Sequence, residues 1–347
     1  MKRTCGIVGI LAALILFLVL EVPPLAAGEA AKPAFTLKLM GINRTLDPWK
    51  LFEEWAQSVE KRSDGRIKFE FTSLPELGLG GAETIRVIKT GVVDVAEVYG
   101  GYVAGELPML EILEIPGIFP DPETAKKAIL AWKPHEAKIL EERANAVLLA
   151  MAVYPDQALF SKRPVRTLED FKGLKTRVHS VALASLVAGL EGEPLTVAFA
   201  EVYTALERGT LDAAITGTKP GLGLRWYEVA KYLVGPISMR PHVALAINKN
   251  TWKRIPKDLQ AILKEEAEAI VEGKAFEAIE VWNQEGIDKN VEKGMEHQPF
   301  SPEVQAAIKE ILRTKVVPDW VRRAGGQVAA QRFNEIIAPL VGFSVNP

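Results

Sequence analysis

Two stretches in different halves of the chain share one pattern. Val87–Ala96 reads VIKTGVVDVA, and Ala205–Ala214 reads ALERGTLDAA. Each is a helix end, a glycine, two residues, an aspartate and an apolar strand. Gly91 and Gly209 suit the left-handed position that closes a helix. Asp94 and Asp212 suit the entry to a strand. A unit of this kind, present once in each half, points to two lobes of related α/β architecture. The pattern is short, so coincidence stands beside duplication as a reading. Length agrees with two lobes, because 347 residues exceed one ordinary core. With 48% hydrophobic and 25% charged residues the chain is globular rather than disordered.

The N-terminus reads as an export signal. Lys2 and Arg3 precede an apolar run, Gly6–Leu20, that is short for a spanning helix. Pro23 and Pro24 break it, and small residues follow at Ala26, Ala27, Gly28 and Ala30. Residues 1–27 are therefore assigned to a signal peptide cleaved near Ala27 or Ala30, with an uncleaved anchor as the alternative. The expected location is the periplasm. The single cysteine, Cys5, would leave with the leader, so neither a disulfide nor a thiolate metal site is expected. Lys2, Arg3 and Glu21 sum to +1, which takes the net charge from −2 to near −3 in the mature chain. No basic stripe favours nucleic acid.

Phe35–Met40, the amphipathic Leu51–Val59 and Ile67–Phe71 form a strand–helix–strand unit, which implies a parallel pair. The glycines of LGLGGAE after Leu77 lack the dinucleotide and P-loop spacings and read as a plain loop. Met109–Phe119, punctuated by prolines, reads as an ordered loop. Thr124–Arg143 reads as a helix and Ala146–Val153 as a buried strand, with Tyr154 and Pro155 as a hinge. Val243–Ile247 is a second buried strand. Thr251 opens a helix expected to run to about Glu285, roughly 50 Å, long enough to bridge two lobes. Val304–Leu312 and Gln327–Ile337 read as terminal helices. These readings place lobe I at 28–154 plus 242–283, and lobe II at 155–241 plus 284–347.

The segment 168–218 holds the most pointed chemistry. Lys175–Val178 reads as a short strand carrying Arg177. A guanidinium is always ionised and matches a carboxylate bidentately, so in a central strand Arg177 needs an anion. A surface position or a structural ion pair is the plainer alternative. His179, two residues on, would share the same cleft or pack as an ordinary histidine. Signatures of hydrolytic enzymes are missing: there is no HExxH and no GxSxG. Glu53–Glu54 and Glu265–Glu266 fall on solvated helical faces. No catalytic residue, cofactor or metal ligand set is assigned, although carboxylates from separate strands would leave no local spacing.

The segments FKGLKTRV, FAEVYTALERGTLDAA and WYEVAKYLVGP, with GVVDVA and the long helix, closely resemble the solute-binding subunits of tripartite ATP-independent periplasmic (TRAP) transporters of the dicarboxylate-binding-protein type. The resemblance runs from Phe35 to about the last helix. It implies an α/β, periplasmic-binding-protein-like fold, with two α/β lobes around a cleft and a long connecting helix. It further implies a binding protein, not an enzyme, acting as a monomer. Such a protein captures an organic acid and delivers it to the TRAP membrane permease subunits. Arg177 matches the family arginine that pairs with the ligand carboxylate, and Phe199 matches an apolar wall. Gln157 stands where sialic-acid members carry a second arginine, and Thr216 where the family carries an asparagine. Trp226, in LRWYEV, would form a pocket edge or pack the lobe. Two neutral replacements imply a monocarboxylate with an apolar or aromatic body rather than a C4-dicarboxylate. A protonated His179 would weaken that inference by accepting part of a second charge. The rivals are a secreted hydrolase and a sensory module that presents ligand to a membrane receptor.

Overall fold

Strand-forming runs separated by glycine-terminated helices build two sheets in the computed structural model, which describes residues 33–346. The expected leader lies outside the described residues. The first sheet holds β1 (Phe35–Gly41), β2 (Ile67–Ser73), β3 (Val95–Tyr99) and β4 (Ala146–Val153). The second holds β5 (Gln157–Ser161), β6 (Lys175–Val178), β7 (Glu193–Thr196), β8 (Ala213–Gly217) and β9 (Tyr232–Ile237). Then β10 (His242–Asn248) returns to the first sheet and β11 (Glu296–Gln298) joins the second. Strand orders are β2-β1-β3-β10-β4 and β11-β9-β5-β8-β6-β7. β1 is parallel to β2 and β3, whereas β10 runs antiparallel between β3 and β4. In the second sheet β6 is parallel to β7 and β8, and β5 runs antiparallel between β8 and β9.

The repeated unit occupies equivalent places in the two sheets. Gly91 and Gly209 both take φ 75°, the left-handed conformation expected after a helix. Asp94 accepts from Lys38 N at 3.0 Å, at the β1–β3 pairing. Asp212 accepts from Lys175 N at 3.1 Å, at the β6–β8 pairing. Each aspartate thus ties its own strand to the parallel neighbour, in one lobe and then in the other.

The chain crosses between the sheets three times. Tyr154–Asp156 links β4 to β5, Ser238–Pro241 links β9 to β10, and a long helix leads to β11. The first two crossings are joined by the bond from Tyr154 N to Pro241 O, 2.8 Å. All three meet around Asp156. Its N–H donates to Asn283 Oδ1 at 2.6 Å, and its carboxyl lies 3.3 Å from Arg240 Nε. Arg240 also reaches Glu280 at 2.9 Å.

The long helix starts later and ends later than its periodicity suggests. Lys249–Arg254 forms its own short helix, which stops at Ile255 in extended backbone. Pro256 causes the stop, because its ring disfavours the helical conformation in the residue before it. Helix then runs from Lys257 to Glu292, with a π-helical stretch at Ala267–Gly273. That stretch buries Ala267, Ile270 and Val271. The proline-punctuated loop holds a 3-10 turn, Pro108–Glu114, whose Leu110, Ile112 and Leu113 are buried. The terminal helices are not confined to the second lobe. Trp320 Nε1 donates to Pro108 O at 2.9 Å, and Arg323 pairs with Glu111 at 2.6 Å. Among the described residues no helix is long and apolar enough to cross a membrane.

Candidate functional site

The strand ends of both sheets and two of the crossings converge on one cavity of about 370 Å³. Ile42, Leu46, Tyr99 and Tyr102 enter from the first lobe. Arg177, His179, Phe199 and Thr216 enter from the second, with Tyr154, Gln157 and Pro241 at the crossings. Five of the six residues singled out in the sequence therefore meet: Arg177, Gln157, Phe199, Thr216 and His179.

Arg177 is 1% exposed. β6 carries it into the second sheet, flanked by β7 and β8. Its Nε donates to Val197 O at 3.1 Å, and Nη1 donates to Ile215 O at 2.9 Å. The guanidinium carbon lies 5.8 Å from the centre of the Phe199 ring. Burial lowers its pKa, and the nearby Tyr102 and Tyr99 act in the opposite direction. Among the described residues no carboxylate neutralises it, which sets aside the structural ion pair. A buried cation held by neutral groups alone is costly unless an anion joins it.

The groups around Arg177 are neutral. His179 Nε2 lies 2.9 Å from Gln157 Oε1, and Gln157 Nε2 donates to Pro155 O. Gln157 therefore turns its oxygen to the ring, and Nε2 carries the histidine proton. Nδ1 faces Tyr99 Oη at 3.3 Å. Burial, and then the Arg177 charge, hold the His179 pKa well below its ordinary value. The imidazole is consequently neutral, so the partial cation anticipated for a second carboxylate is not there. Thr216, on β8, is 6% exposed and offers only a hydroxyl.

Trp226 does not form the cavity edge. It is fully buried behind Phe199, with ring centres 5.6 Å apart, and meets Phe160 edge-on at 5.4 Å. Its size fills the lobe, and Phe199 presents the surface that Trp226 was expected to present.

A buried acid network backs the first-lobe wall, and sequence reasoning missed it. Tyr154 Oη donates to Glu97 Oε1 at 2.5 Å, while Glu97 Oε2 accepts from Ile42 N at 2.7 Å. Burial outweighs these bonds and raises the Glu97 pKa to about 7. Tyr99 Oη donates to Glu114 Oε2 at 2.6 Å. Glu114 Oε1 accepts from His242 N at 3.0 Å, and His242 Nδ1 makes an unaligned ionic contact with it at 3.1 Å. His242 Nε2 lies 2.8 Å from Glu136. Burial opposes the imidazolium, but Glu136 and Glu114 prevail and raise the His242 pKa to about 10. One signal was visible beforehand: Glu97 is the lone acid of the buried strand VAEVY. Another was the Gly100–Gly101 pair after it. A Cβ at Gly100 would overlap Leu110 O, and one at Gly101 would lie 2.9 Å from the Tyr99 ring. Among the described residues no cluster of three or more histidines, cysteines or acids stands ready for a metal ion.

Two α/β lobes, crossed three times by the chain, hold between them a buried cation that has no acidic partner among the described residues, an arrangement suited to binding an anionic solute. Residues 46–318 match the bacterial extracellular solute-binding protein family 7, and the chain belongs to that family. A solute-binding protein of Sulfitobacter sp. (strain NAS-14.1) is 28% identical over 228 residues, 63% of this chain and 67% of that one. Among solved structures, DctP7 of Bordetella pertussis, an extracytoplasmic solute receptor binding pyroglutamic acid, superposes with TM-score 0.80 at 24% identity. That match covers 86% of this chain and 99% of DctP7. A TRAP periplasmic solute-binding protein from Desulfovibrio salexigens, with bound orotic acid, gives TM-score 0.81 at 22% identity, over 88% and 99% of the two chains.

Proposed function

We propose that this protein is the periplasmic receptor of a TRAP transporter, acting as a single chain. It captures a monocarboxylic organic acid between its lobes and hands it unchanged to the membrane permease. The observation that carries this reading is Arg177: a buried guanidinium, open to a cavity and without an acidic partner among the described residues, awaits one carboxylate. Gln157, His179 and Thr216 give a second carboxylate no counter-charge, and an unpaired buried charge is strongly disfavoured. The fold neighbours support the reading, since pyroglutamic acid and orotic acid each carry one carboxyl group. Phe199 and Leu46 supply apolar cover for the body of the ligand.

Calorimetry on Arg177→Ala tests the assignment, with pyroglutamate and other small monocarboxylates as probes. Breaking a buried charge pair costs about 3–5 kcal/mol, so affinity should fall at least about a hundredfold. The melting point of the ligand-free protein should barely move, because the variant also removes an uncompensated charge. Unchanged affinity would remove Arg177 from the site. Succinate or malate binding more tightly than every monocarboxylate would overturn the preference for a single carboxyl group.

A further inference from the structure

Tyr99 and Tyr154 both line the cavity, and both are nine-tenths buried or more, at 6% exposure each. A phenol has one proton to donate and lone pairs to accept with. With Glu97 ionised, above about pH 7, each of these protons is committed away from the cavity. Tyr154 Oη gives its proton to Glu97 at 2.5 Å, and Tyr99 Oη gives its proton to Glu114 at 2.6 Å. Both carboxyl groups are held in place by backbone N–H groups, of Ile42 and of His242, which can only donate. What these two residues leave for a ligand is the unshared electron pairs of their phenolic oxygens. His179 adds to the same character. Its Nε2 proton goes to Gln157 Oε1, so Nδ1, beside Tyr99, is an acceptor. The cavity is therefore divided: donors at Arg177 and at the Tyr102 and Thr216 hydroxyls, and acceptors along Tyr99, Tyr154 and His179.

We infer that the receptor selects acids that carry a hydrogen-bond donor, an O–H or N–H, close to the carboxyl group, and that Tyr99 and Tyr154 determine this specificity. The inference rests on the assignment of the carboxylate to Arg177 and adds the chemistry of the opposite end of the ligand. A ligand lacking the donor would leave these buried acceptors without partners when the lobes close, and an unsatisfied buried polar group is costly. A ligand presenting only a carbonyl there would set lone pairs against lone pairs. The phenols themselves stay protonated, because burial and then the neighbouring carboxylates raise both pKa values well above the ordinary phenol value.

Matched pairs of acids test the inference by calorimetry on the full protein at about pH 8, where Glu97 is ionised: lactate against propionate, mandelate against phenylacetate, and pyroglutamate against cyclopentanecarboxylate. In each pair that binds, the donor-bearing member should bind more tightly by about tenfold or more. In Tyr99→Phe and Tyr154→Phe that ratio should shrink towards one. The ratio is taken within one variant, so a general loss of folded protein cancels from it. Equal affinities within the pairs, or ratios that survive both substitutions, would overturn the inference and leave the carboxylate reading standing. Binding of the corresponding primary amides as tightly as the acids would overturn the carboxylate reading, and this inference with it.

Discussion

Glu97 is a carboxyl group that the fold keeps protonated through much of the acidic range. In the unfolded chain it titrates near its ordinary value of 4.5, and in the folded protein near 7, because burial outweighs the bonds from Tyr154 and Ile42. The folded state thus retains a proton that the unfolded state releases. The group's contribution to stability is complete below the lower value and is lost as pH rises through the upper one. A shift of this size corresponds to about 3 kcal/mol. Urea unfolding of Glu97→Gln and of the parent at about pH 4 and about pH 8 checks this. The variant should gain about 3 kcal/mol relative to the parent at the higher pH; parallel pH profiles would contradict the assignment. The same residue marks a limit of sequence reading. Arg177, Gln157, His179, Phe199 and Thr216 were legible because local motifs carry the family resemblance. Glu97, Tyr99 and Tyr154 were not, since a cavity wall assembled from β3 and a crossing leaves no local spacing. Trp226 was left between pocket edge and lobe packing, because nothing in LRWYEV reveals that Phe199 stands in front of it, and the structure takes the packing alternative.

Two helices pack backbone to backbone where Gly286 meets the short helix Thr218–Gly223 that follows β8. A Cβ at Gly286 would overlap Thr218 Oγ1 and lie 2.7 Å from Lys219 N. Asn290, one turn on, donates to Thr218 O at 2.9 Å, and Lys219 reaches Asp47 of the other lobe at 2.8 Å. Gly286→Ala should therefore push the short helix outward and destabilise the protein by about 1–3 kcal/mol. Thr216 and Gly217 immediately precede that helix and line the cavity, so ligand affinity should drop as well. A chemical denaturation curve and a binding isotherm that both match the parent would show that the contact relaxes freely. Periodicity revealed a long helix but not this contact, because a helical glycine looks alike whether it touches solvent or another backbone. The two glycine–aspartate units were legible for the opposite reason: their conformational demand is local, and both sheets meet it in the same way.

Over the whole molecule, the buried His242 sets the pH dependence on the alkaline side. Its folded pKa, about 10 against 6.5, reflects Glu136 and Glu114 prevailing over burial. The stability it supplies is complete below the unfolded value and fades as pH climbs through the folded one. Asp156 at the crossings, raised to about 6 by burial against the pull of Arg240, and Glu97 already favour the acidic side. The melting point of the ligand-free protein should thus be highest at mildly acidic pH and fall by about 5 °C or more towards pH 10. A flat calorimetric profile over that range would show that His242 is not held as an imidazolium. The two-lobed plan was legible from the repeated unit. The sharing of the terminal helices between lobes was not, since it depends on long-range contacts such as Trp320 with Pro108. The place of β10, between β3 and β4, has a consequence in time. A ribosome releases β4 almost a hundred residues before β10, so the first sheet waits with two unpaired inner edges while the whole core of the second emerges. Neither lobe can be completed as a nascent fragment, and a chain arrested before Asn248 leaves both edges open to pairing with other chains.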